Sequence, residues 1–219
     1  LRVNAGTLAI AQNGADASVA NVNGLTLTGG GRLDLADNDL LVRTTSTAAV
    51  ESLVATGRNG GTWDGANGIG SSTAHWIYSL GVASNADLEL STYAGHTALT
   101  GAETIVRYTI VGDADLSGIV NGLDFLLFQS GFDNTSPDAW HFGDFNYSGI
   151  VDAADFALYV TGFLNQPNNG PIPPSFYDDM TTFADANGID RSLIPEPGGF
   201  ALLAMGAGMM MRRTRRRRA

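Results

Sequence analysis

Oxygen-bearing side chains recur at a fixed spacing in two stretches of this chain, GDADLSGIVNGLDFLLFQSGF from Gly112 and GDFNYSGIVDAADFALYVTGF from Gly143. Eleven of their 21 positions are identical, and the second copy follows the first by 31 residues. Counted from the aspartate after the first glycine, both copies place Asp, Asn or Ser at positions 1, 3, 5, 9 and 12 and glycine at position 6. Such spacing wraps a peptide around a hard cation that takes about six to eight oxygen ligands. The repeat therefore predicts two calcium-binding loops.

The predicted ligands of each loop are side-chain oxygens and one backbone carbonyl. They are, in the first loop, Asp113, Asp115, Ser117, the carbonyl of Ile119, Asn121 (directly or through water) and Asp124, and in the second loop Asp144, Asn146, Ser148, the carbonyl of Ile150, Asp152 and Asp155. Gly118 and Gly149 stand where the tight curl requires a positive φ. At position 8, Val120 and Val151 are expected to pair the two loops across a short β-bridge.

The alternative is a pair of Asp-, Asn- and Gly-rich turns that hold no ion, because these residues populate turns for local reasons. Two turns, however, have no reason to share one ligand spacing at five positions. Residues 112–164 also contain eight aspartates and neither Arg nor Lys, a repulsion that a divalent ion would relieve. The sequence favours two Ca²⁺ ions and predicts a loose segment without them.

The segments around the loops differ from those of a calcium-sensing EF-hand. RYTIVG before the first loop is typical of a strand and PDAWHF before the second is typical of a turn, so a helix is predicted only after each loop, and position 12 is Asp rather than Glu. This arrangement, from Gly112 to about Leu164, resembles the type I dockerin domain. The resemblance implies a module folded by two calcium ions that inserts into a cohesin domain.

Partner recognition in that family usually depends on a Ser-Thr-type pair at loop positions 10 and 11. This chain has Gly122-Leu123 and Ala153-Ala154 there. The expected partner is therefore either a cohesin-like domain or another part of the same chain.

Three signals follow one another at the C-terminus: the triplet Pro195-Glu196-Pro197, an apolar run at 198–211, and six arginines in the seven residues before Ala219. Fourteen helical residues span about 21 Å, less than the roughly 30 Å of a bilayer core, which favours transient anchoring in the inner membrane over a permanent span. The tail resembles the PEP-CTERM sorting signal of exported bacterial proteins. That resemblance implies processing by an exosortase-type enzyme and a location at the cell surface, in the outer membrane or in the extracellular matrix. A plain tail anchor and a nucleic-acid-binding basic tail are the alternatives.

Charge and composition argue against a nucleic-acid partner. Residues 1–195 hold six arginines, 21 acidic residues and no lysine, a net charge of −15. Such a surface repels nucleic acid and attracts divalent cations. The chain has no cysteine, so no disulfide stabilises it. Because it begins with Leu1 and shows no leader, we expect residues 1–219 to be the end of a longer exported precursor.

Short alternating runs of apolar and polar residues fill positions 1–43, separated by Asn-Gly and Gly-Gly turns. They predict a β-solenoid or a β-sandwich-like region. The stretch VNAGTLAI resembles autotransporter-associated β-strand repeats, and GGRLDLADNDLLV resembles the segment that ends such arrays in surface proteins of planctomycete-like bacteria. A short helix is expected from Ala48 to Thr56, capped by Thr47 and stopped by Gly57.

The predicted fold class is multidomain β plus small α, ending in a C-terminal apolar helix. The predicted segments are a β-repeat region at 1–56, a Gly/Asn-rich loop with closing strands at 57–111, the dockerin-like pair of calcium loop–helix motifs at 112–164, a Pro-rich linker with a short helix over Phe176–Ala186 at 165–194, and the sorting signal at 195–219. Trp63 and Trp76 in the second segment are interpreted as aromatic plugs or, alternatively, as stacking surfaces for sugars.

No catalytic constellation is recognisable. His75, His96 and His141 are scattered, and the chain contains no Ser/His/Asp order, HExxH or CxxC. The favoured hypothesis is a calcium-binding, non-catalytic assembly or adhesion module of an exported surface protein. The alternatives are the docking end of a polysaccharide-degrading enzyme (an O-glycosyl hydrolase) whose catalytic domain lies upstream, and a calcium sensor that opens on binding.

Overall fold

The computed structural model describes residues 1–14, 19–134, 140–167 and 173–194. The chain divides into two compact units, Leu1–Asn168 and Asn169–Ala219. The predicted sorting signal at 195–219, with its apolar run and arginine cluster, lies outside the described residues. Among the helices that are described, none has the length and apolar character that crossing a membrane requires.

The short strands at the start of the chain pair with strands that come later in the sequence, and every one of these pairs is parallel. The strands are β1 (Arg2–Val3), β2 (Thr7–Ala9), β3 (Val19–Val22), β4 (Thr26–Leu27), β5 (Arg32–Asp34), β6 (Asp39–Val42) and β7 (Gly68–Gly70). β1 pairs with β4, β2 with β5, β3 with β6, and β5 also with β7. The alternation of apolar residues in residues 1–43 therefore identified strands correctly.

The largest sheet is mixed and leads directly to the first predicted loop. It has the order β3-β6-β11-β8, in which β8 (Tyr78–Ser84) and β11 (Thr104–Ile110) are antiparallel over seven residue pairs. The connection between them contains the one-turn helix α2 (Asn85–Leu88) and a small hairpin, β9 (Thr92–Tyr93) with β10 (His96–Thr97). Because β11 ends at Ile110, the sheet fixes the position at which the first loop begins.

Helix α1 (Thr47–Arg58) covers this region and packs closely on β7. It follows Ser46 and ends at Asn59, whose φ of 47° is left-handed, so it extends past both predicted ends. Gly57 is inside the helix, where a methyl group would overlap the carbonyl oxygen of Ile69. The glycine therefore permits close packing and does not stop the helix. The core beneath the helix contains Leu33, Leu40, Val42, Val50, Val54, Ile69, Leu80, Val82 and Val106, all fully buried.

The predicted fold class is wrong. In place of a β-solenoid or β-sandwich-like region, the described residues form a small mixed α/β unit with several short sheets, and they contain neither a solenoid nor a closed barrel. Parallel pairing does not continue as an array because α1 follows β6 and packs on β7, and because the long β8 and β11 complete the main sheet in antiparallel fashion. The C-terminal apolar helix of the predicted class falls in residues outside the described ranges.

The repeat forms two loop–helix motifs whose helices are α3 (Gly122–Gly131) and α4 (Ala153–Asn165). Each helix ends near a glycine that lies against the backbone just before the other loop. A methyl group on Gly131 would overlap the carbonyl oxygen of Phe142, and one on Gly162 would overlap that of Val111. Phe142 and Val111 are 31 residues apart, which is the offset of the repeat. The two copies of the repeat therefore make equivalent helix-to-backbone contacts with each other.

The second unit contains helix α5 (Pro174–Ala186) and a 3₁₀ turn at Arg191–Leu193. The helix starts two residues before the predicted Phe176 and ends where predicted, at Ala186. Its buried positions are Tyr177, Met180 and Ala184. Proline at the first helical position suits a helix start, because its missing N–H has no partner within the helix there.

Replacing Gly162 with alanine tests the interlocked packing. Helix propensity alone would make Gly162→Ala stabilising by about 0.5–1 kcal/mol. The overlap with Val111 makes us expect a loss of about 1–3 kcal/mol in the free energy of unfolding instead. Urea unfolding followed by circular dichroism measures the sign.

The matched control is Gln129→Ala at an exposed position of α3, which is expected to change the free energy of unfolding by less than about 0.5 kcal/mol. A more stable Gly162→Ala variant would contradict the close helix–strand contact.

Candidate metal centre

Three carboxylates of the first loop converge on one point. Oxygens of Asp113, Asp115 and Asp124 all lie within 4.8 Å of one another. Asp113 and Asp124 are fully buried, and Asp115 is half-buried. Among the described residues this is the group of acidic side chains that could hold a metal ion.

Backbone amides of the same loop fix the two buried carboxylates. Asp113 accepts hydrogen bonds from the backbone N–H groups of Ser117 and Gly118, each at 2.9 Å. Asp124 accepts from the N–H of Ala114 at 2.8 Å through one oxygen and from that of Asn121 at 2.8 Å through the other. Each carboxylate therefore holds the loop closed.

The second loop repeats these bonds except the one from Ala114, and its Asn146 matches Asp115, whose N–H also donates to Asp124 at 3.2 Å. Asp144 accepts from the N–H groups of Ser148 at 2.9 Å and Gly149 at 2.6 Å. Asp155 accepts from those of Asn146 at 3.0 Å and Asp152 at 3.1 Å. The backbone of the second loop thus has the same closed form, and each loop has three acidic predicted ligands, because Asn146 replaces the acid at position 3 while Asp152 replaces Asn121 at position 9.

The other predicted ligands lie at the rims of the loops. Position 5 and position 7 meet in both copies, since the Ser117 hydroxyl is 3.2 Å from the carbonyl oxygen of Ile119 and the equivalent pair, Ser148 and Ile150, is 3.0 Å apart. At position 9, the side chains of Asn121 and Asp152 accept N–H groups in the first turns of α3 and α4, each at 2.8 Å.

The loops are joined differently from the sequence-based prediction at position 8. Val120 and Val151 do not bridge to each other. The N–H and C=O of Val120 bond the side-chain amide of Gln166, which follows α4, at 2.8 and 2.6 Å. Val151 bonds the backbone of Asp133 and Asn134, which follow α3. Each loop is therefore held by the segment after the other loop's helix.

Removal from water dominates the electrostatics of both loops. Burial, together with the charge of Asp115, raises the pKa of Asp113 to about 7 and that of Asp124 to about 8. Burial also raises the pKa of Asp155 to about 7, and that of Asp144 shifts upward for the same reason. An ionised carboxylate is costly at these positions unless a positive charge compensates it, and a divalent cation would supply that charge.

Several residues that support the loops were missed by sequence reasoning. The Thr109 hydroxyl in β11 donates to a carboxylate oxygen of Asp113. The ring N–H of the fully buried Trp140 donates to the carbonyl oxygen of Asp113 at 2.8 Å, and Nδ1 of the buried His141 lies 3.0 Å from that of Ala114. Nearness in sequence could have pointed to Thr109, four residues before Asp113. The sequence around Trp140 contains no pattern that predicts its contact with Asp113, which lies 27 positions away.

Two tryptophans and two histidines that the sequence singled out are not part of the acidic cluster. Trp63 is buried, in keeping with its interpretation as an aromatic plug, whereas the side chain of Trp76 is 72% exposed. His75 contacts the carbonyl oxygen of Thr73, and His96 contacts the side chain of Asn21. These histidines do not take part in the acidic cluster.

Comparison of this chain with profiles of known protein families, with curated proteins and with solved structures finds no match. Any function assigned to the loops therefore rests on the residues described above and on the sequence patterns that contain them.

The raised pKa values predict an unusual pH dependence when metal is removed. A carboxyl group whose pKa lies above its unfolded value of about 4 binds protons more tightly in the folded chain, so stability increases as pH falls through that group's range. In the presence of chelator, we expect the melting temperature to rise as the pH is lowered from about 8.5 to about 5.5. Differential scanning calorimetry of the whole chain measures this.

Saturating calcium provides the comparison. A bound cation keeps the carboxylates ionised in the folded state, and they are ionised in the unfolded chain as well at these pH values, so the melting temperature is then expected to stay nearly constant over the same interval and to decrease only below about pH 5. A melting temperature that stays constant or decreases in chelator as the pH is lowered would contradict the burial of these carboxylates.

Proposed function

We propose that this chain is a calcium-binding, non-catalytic assembly or adhesion module of an exported surface protein. The observation that carries the proposal is the convergence of Asp113, Asp115 and Asp124 within 4.8 Å inside a loop closed by its own backbone amides. Two of these carboxylates are buried with raised pKa, so the arrangement gains from a bound cation.

The donor set favours calcium over other metals. It consists of carboxylate, hydroxyl and carbonyl oxygens, which suit hard cations, and it contains neither the thiolate nor the imidazole that selects zinc or copper. A loop with oxygens at positions 1, 3, 5, 7 and 12 supplies the larger number of ligands that calcium takes, whereas magnesium keeps several waters. We assign one ion to each loop and expect affinities of roughly 10⁻⁴–10⁻³ M, the range of extracellular modules.

The second loop supports the count of two ions by its geometry. Asp144 and Asp155 accept backbone N–H groups from loop positions 3, 5, 6 and 9, as Asp113 and Asp124 do. Both loops have three carboxylates among their predicted ligands, but the carboxylates that converge within 4.8 Å are those of the first loop, so we expect the second loop to bind calcium more weakly.

Export and surface location are proposed from the sequence of residues 195–219 and from the acidic composition of the rest. The succession of Pro-Glu-Pro, apolar run and arginine cluster supports transient anchoring in the inner membrane through 198–211 and processing by an exosortase-type enzyme. A net charge of −15 over residues 1–195 argues against nucleic acid as a partner. The proposed role is that calcium stiffens the part of the protein next to this sorting tail.

Calcium titration of the whole chain by isothermal calorimetry tests the proposal. We expect two ions to bind, and we expect the double variant Asp113→Asn with Asp144→Asn to lose both, because each substitution removes the charge of a buried ligand while preserving its shape. The matched control is Asp133→Asn, an exposed aspartate between the loops, which should bind as the unaltered chain does.

Failure of the unaltered chain to bind calcium at millimolar concentrations would contradict the proposal. Undiminished binding by the double variant would contradict the assignment of the ligands.

A further inference from the structure

One residue of each loop points away from the predicted ligands and onto the upstream sheet. Leu116 and Tyr147 both occupy loop position 4 and both have a left-handed backbone, with φ of 55° and 59°. Leu116 is buried against the strand β8 at Gly81. The Tyr147 hydroxyl donates to the carbonyl oxygen of Leu80 in the same strand at 2.7 Å, and its ring packs on the core of the α/β region.

A left-handed conformation at a leucine and a tyrosine is costly, by about 1–2 kcal/mol for each residue. It reverses the direction of the side chain relative to its neighbours in the loop. The conformation therefore sends position 4 toward β8 while positions 1, 3 and 12 stay with the carboxylates.

Two arginines from outside the repeat hold the same part of each loop. Arg58, at the end of α1, donates to the carbonyl oxygen of Asn146 at 2.9 Å. Arg107, in β11, donates to the carbonyl oxygen of Leu116. Each loop thus receives one guanidinium from the upstream residues, next to position 4.

Trp140 joins these contacts from the segment between the loops. Its backbone N–H donates to the Glu51 carboxylate in α1 at 3.1 Å, and its ring stacks on that of Tyr147 with centroids 5.5 Å apart. Its ring N–H, as described, bonds the carbonyl of Asp113. Any side chain added at Gly81 would collide with both Trp140 and Leu116. The absence of a side chain at this position of β8 therefore leaves a flat surface, here called the flat seat, on which Leu116 and the rings of Trp140 and Tyr147 pack.

We infer that the upstream α/β region is the docking partner of the loop–helix repeat, and that Leu116 and Tyr147 are positioning residues through which this docking sets the calcium affinity of each loop. The inference rests on the proposed calcium function and names the partner of that same site. Neither residue is a predicted ligand.

The physical link is the cost of docking without a cation. In the docked arrangement the carboxylates of Asp113, Asp124, Asp144 and Asp155 are buried, and a bound cation would offset the cost of their burial. Because calcium favours the docked arrangement, the apparent affinity equals the intrinsic affinity multiplied by the fraction of chains that are docked. By linkage, a change that weakens docking must weaken calcium binding by the same factor while docking is incomplete.

Removal of a single hydroxyl group tests this at the second loop. Tyr147→Phe deletes the bond to Leu80 and leaves every predicted ligand in place. We expect calcium affinity at the second loop to fall by about two- to tenfold, the range that corresponds to one net hydrogen bond. NMR titration of the full chain can follow each loop separately through the amides of Gly118 and Gly149, which donate to Asp113 and Asp144.

The matched control is Tyr108→Phe, which deletes a tyrosine hydroxyl that donates to the backbone carbonyl of Thr73 at 3.1 Å, within the α/β region and away from the loops. It should lower stability and leave both affinities unchanged. Equal affinities in Tyr147→Phe and the unaltered chain, or an equal loss in Tyr108→Phe, would overturn the inference.

Hydrogen exchange on the unaltered full chain gives a second test that does not depend on a variant folding. Adding calcium to chelated protein is expected to slow exchange in β8 around Leu80 and at the end of α1 around Arg58, as well as in the loops. Protection confined to the loops would overturn the inference while leaving the proposed calcium function intact. Absence of any calcium binding would instead overturn the proposed function, and the inference with it.

Discussion

Burial of carboxylates in an acidic chain is the constraint on which the loop region depends. Asp113, Asp124, Asp144 and Asp155 are almost completely removed from water in a chain of net charge −10. Each is held by backbone N–H groups, and those bonds determine the path of the loop around it. Asp124 and Asp155 also close the capping boxes of α3 and α4. One side chain therefore ends the loop, starts the helix and faces the predicted cation, so the helices cannot be positioned independently of the site.

Duplication gives this arrangement its stability because the two copies complete each other. Gly131 and Gly162 let each helix approach the backbone before the other loop, and Val120 and Val151 are bonded by segments that follow the other helix. Aromatic side chains fill the space between the helices, where Phe125 stacks on Tyr159 with ring centroids 5.4 Å apart. A single loop–helix copy would leave half of these groups unpaired, which explains why the sequence identity extends through the helices to the final Gly-Phe of each copy.

The parts of the molecule that could be predicted from the sequence are those that local spacing determines. Ligand spacing predicted which oxygens come together around Asp113, and apolar periodicity with capping residues located the helices to within a few residues. Alternation in residues 1–43 identified strands but not their partners, and the β-solenoid or β-sandwich expectation failed because α1 and the antiparallel pair β8–β11 complete the fold. The contacts from Arg58 to Asn146 and from Glu51 to Trp140 join residues 88 and 89 positions apart. The apolar periodicity of the sequence does not predict such pairs, since they arise only when separate elements pack together.

The flat seat on β8 has a consequence for the portability of the repeat. Gly81 accommodates Leu116 and Trp140, and the neighbouring carbonyl of Leu80 receives Tyr147. A chain that began at Gly112 would expose these three large side chains to water, and the backbone N–H of Trp140 would lose its partner Glu51. A graft of the repeat onto a foreign host would therefore have to include β8 and α1, which receive these groups.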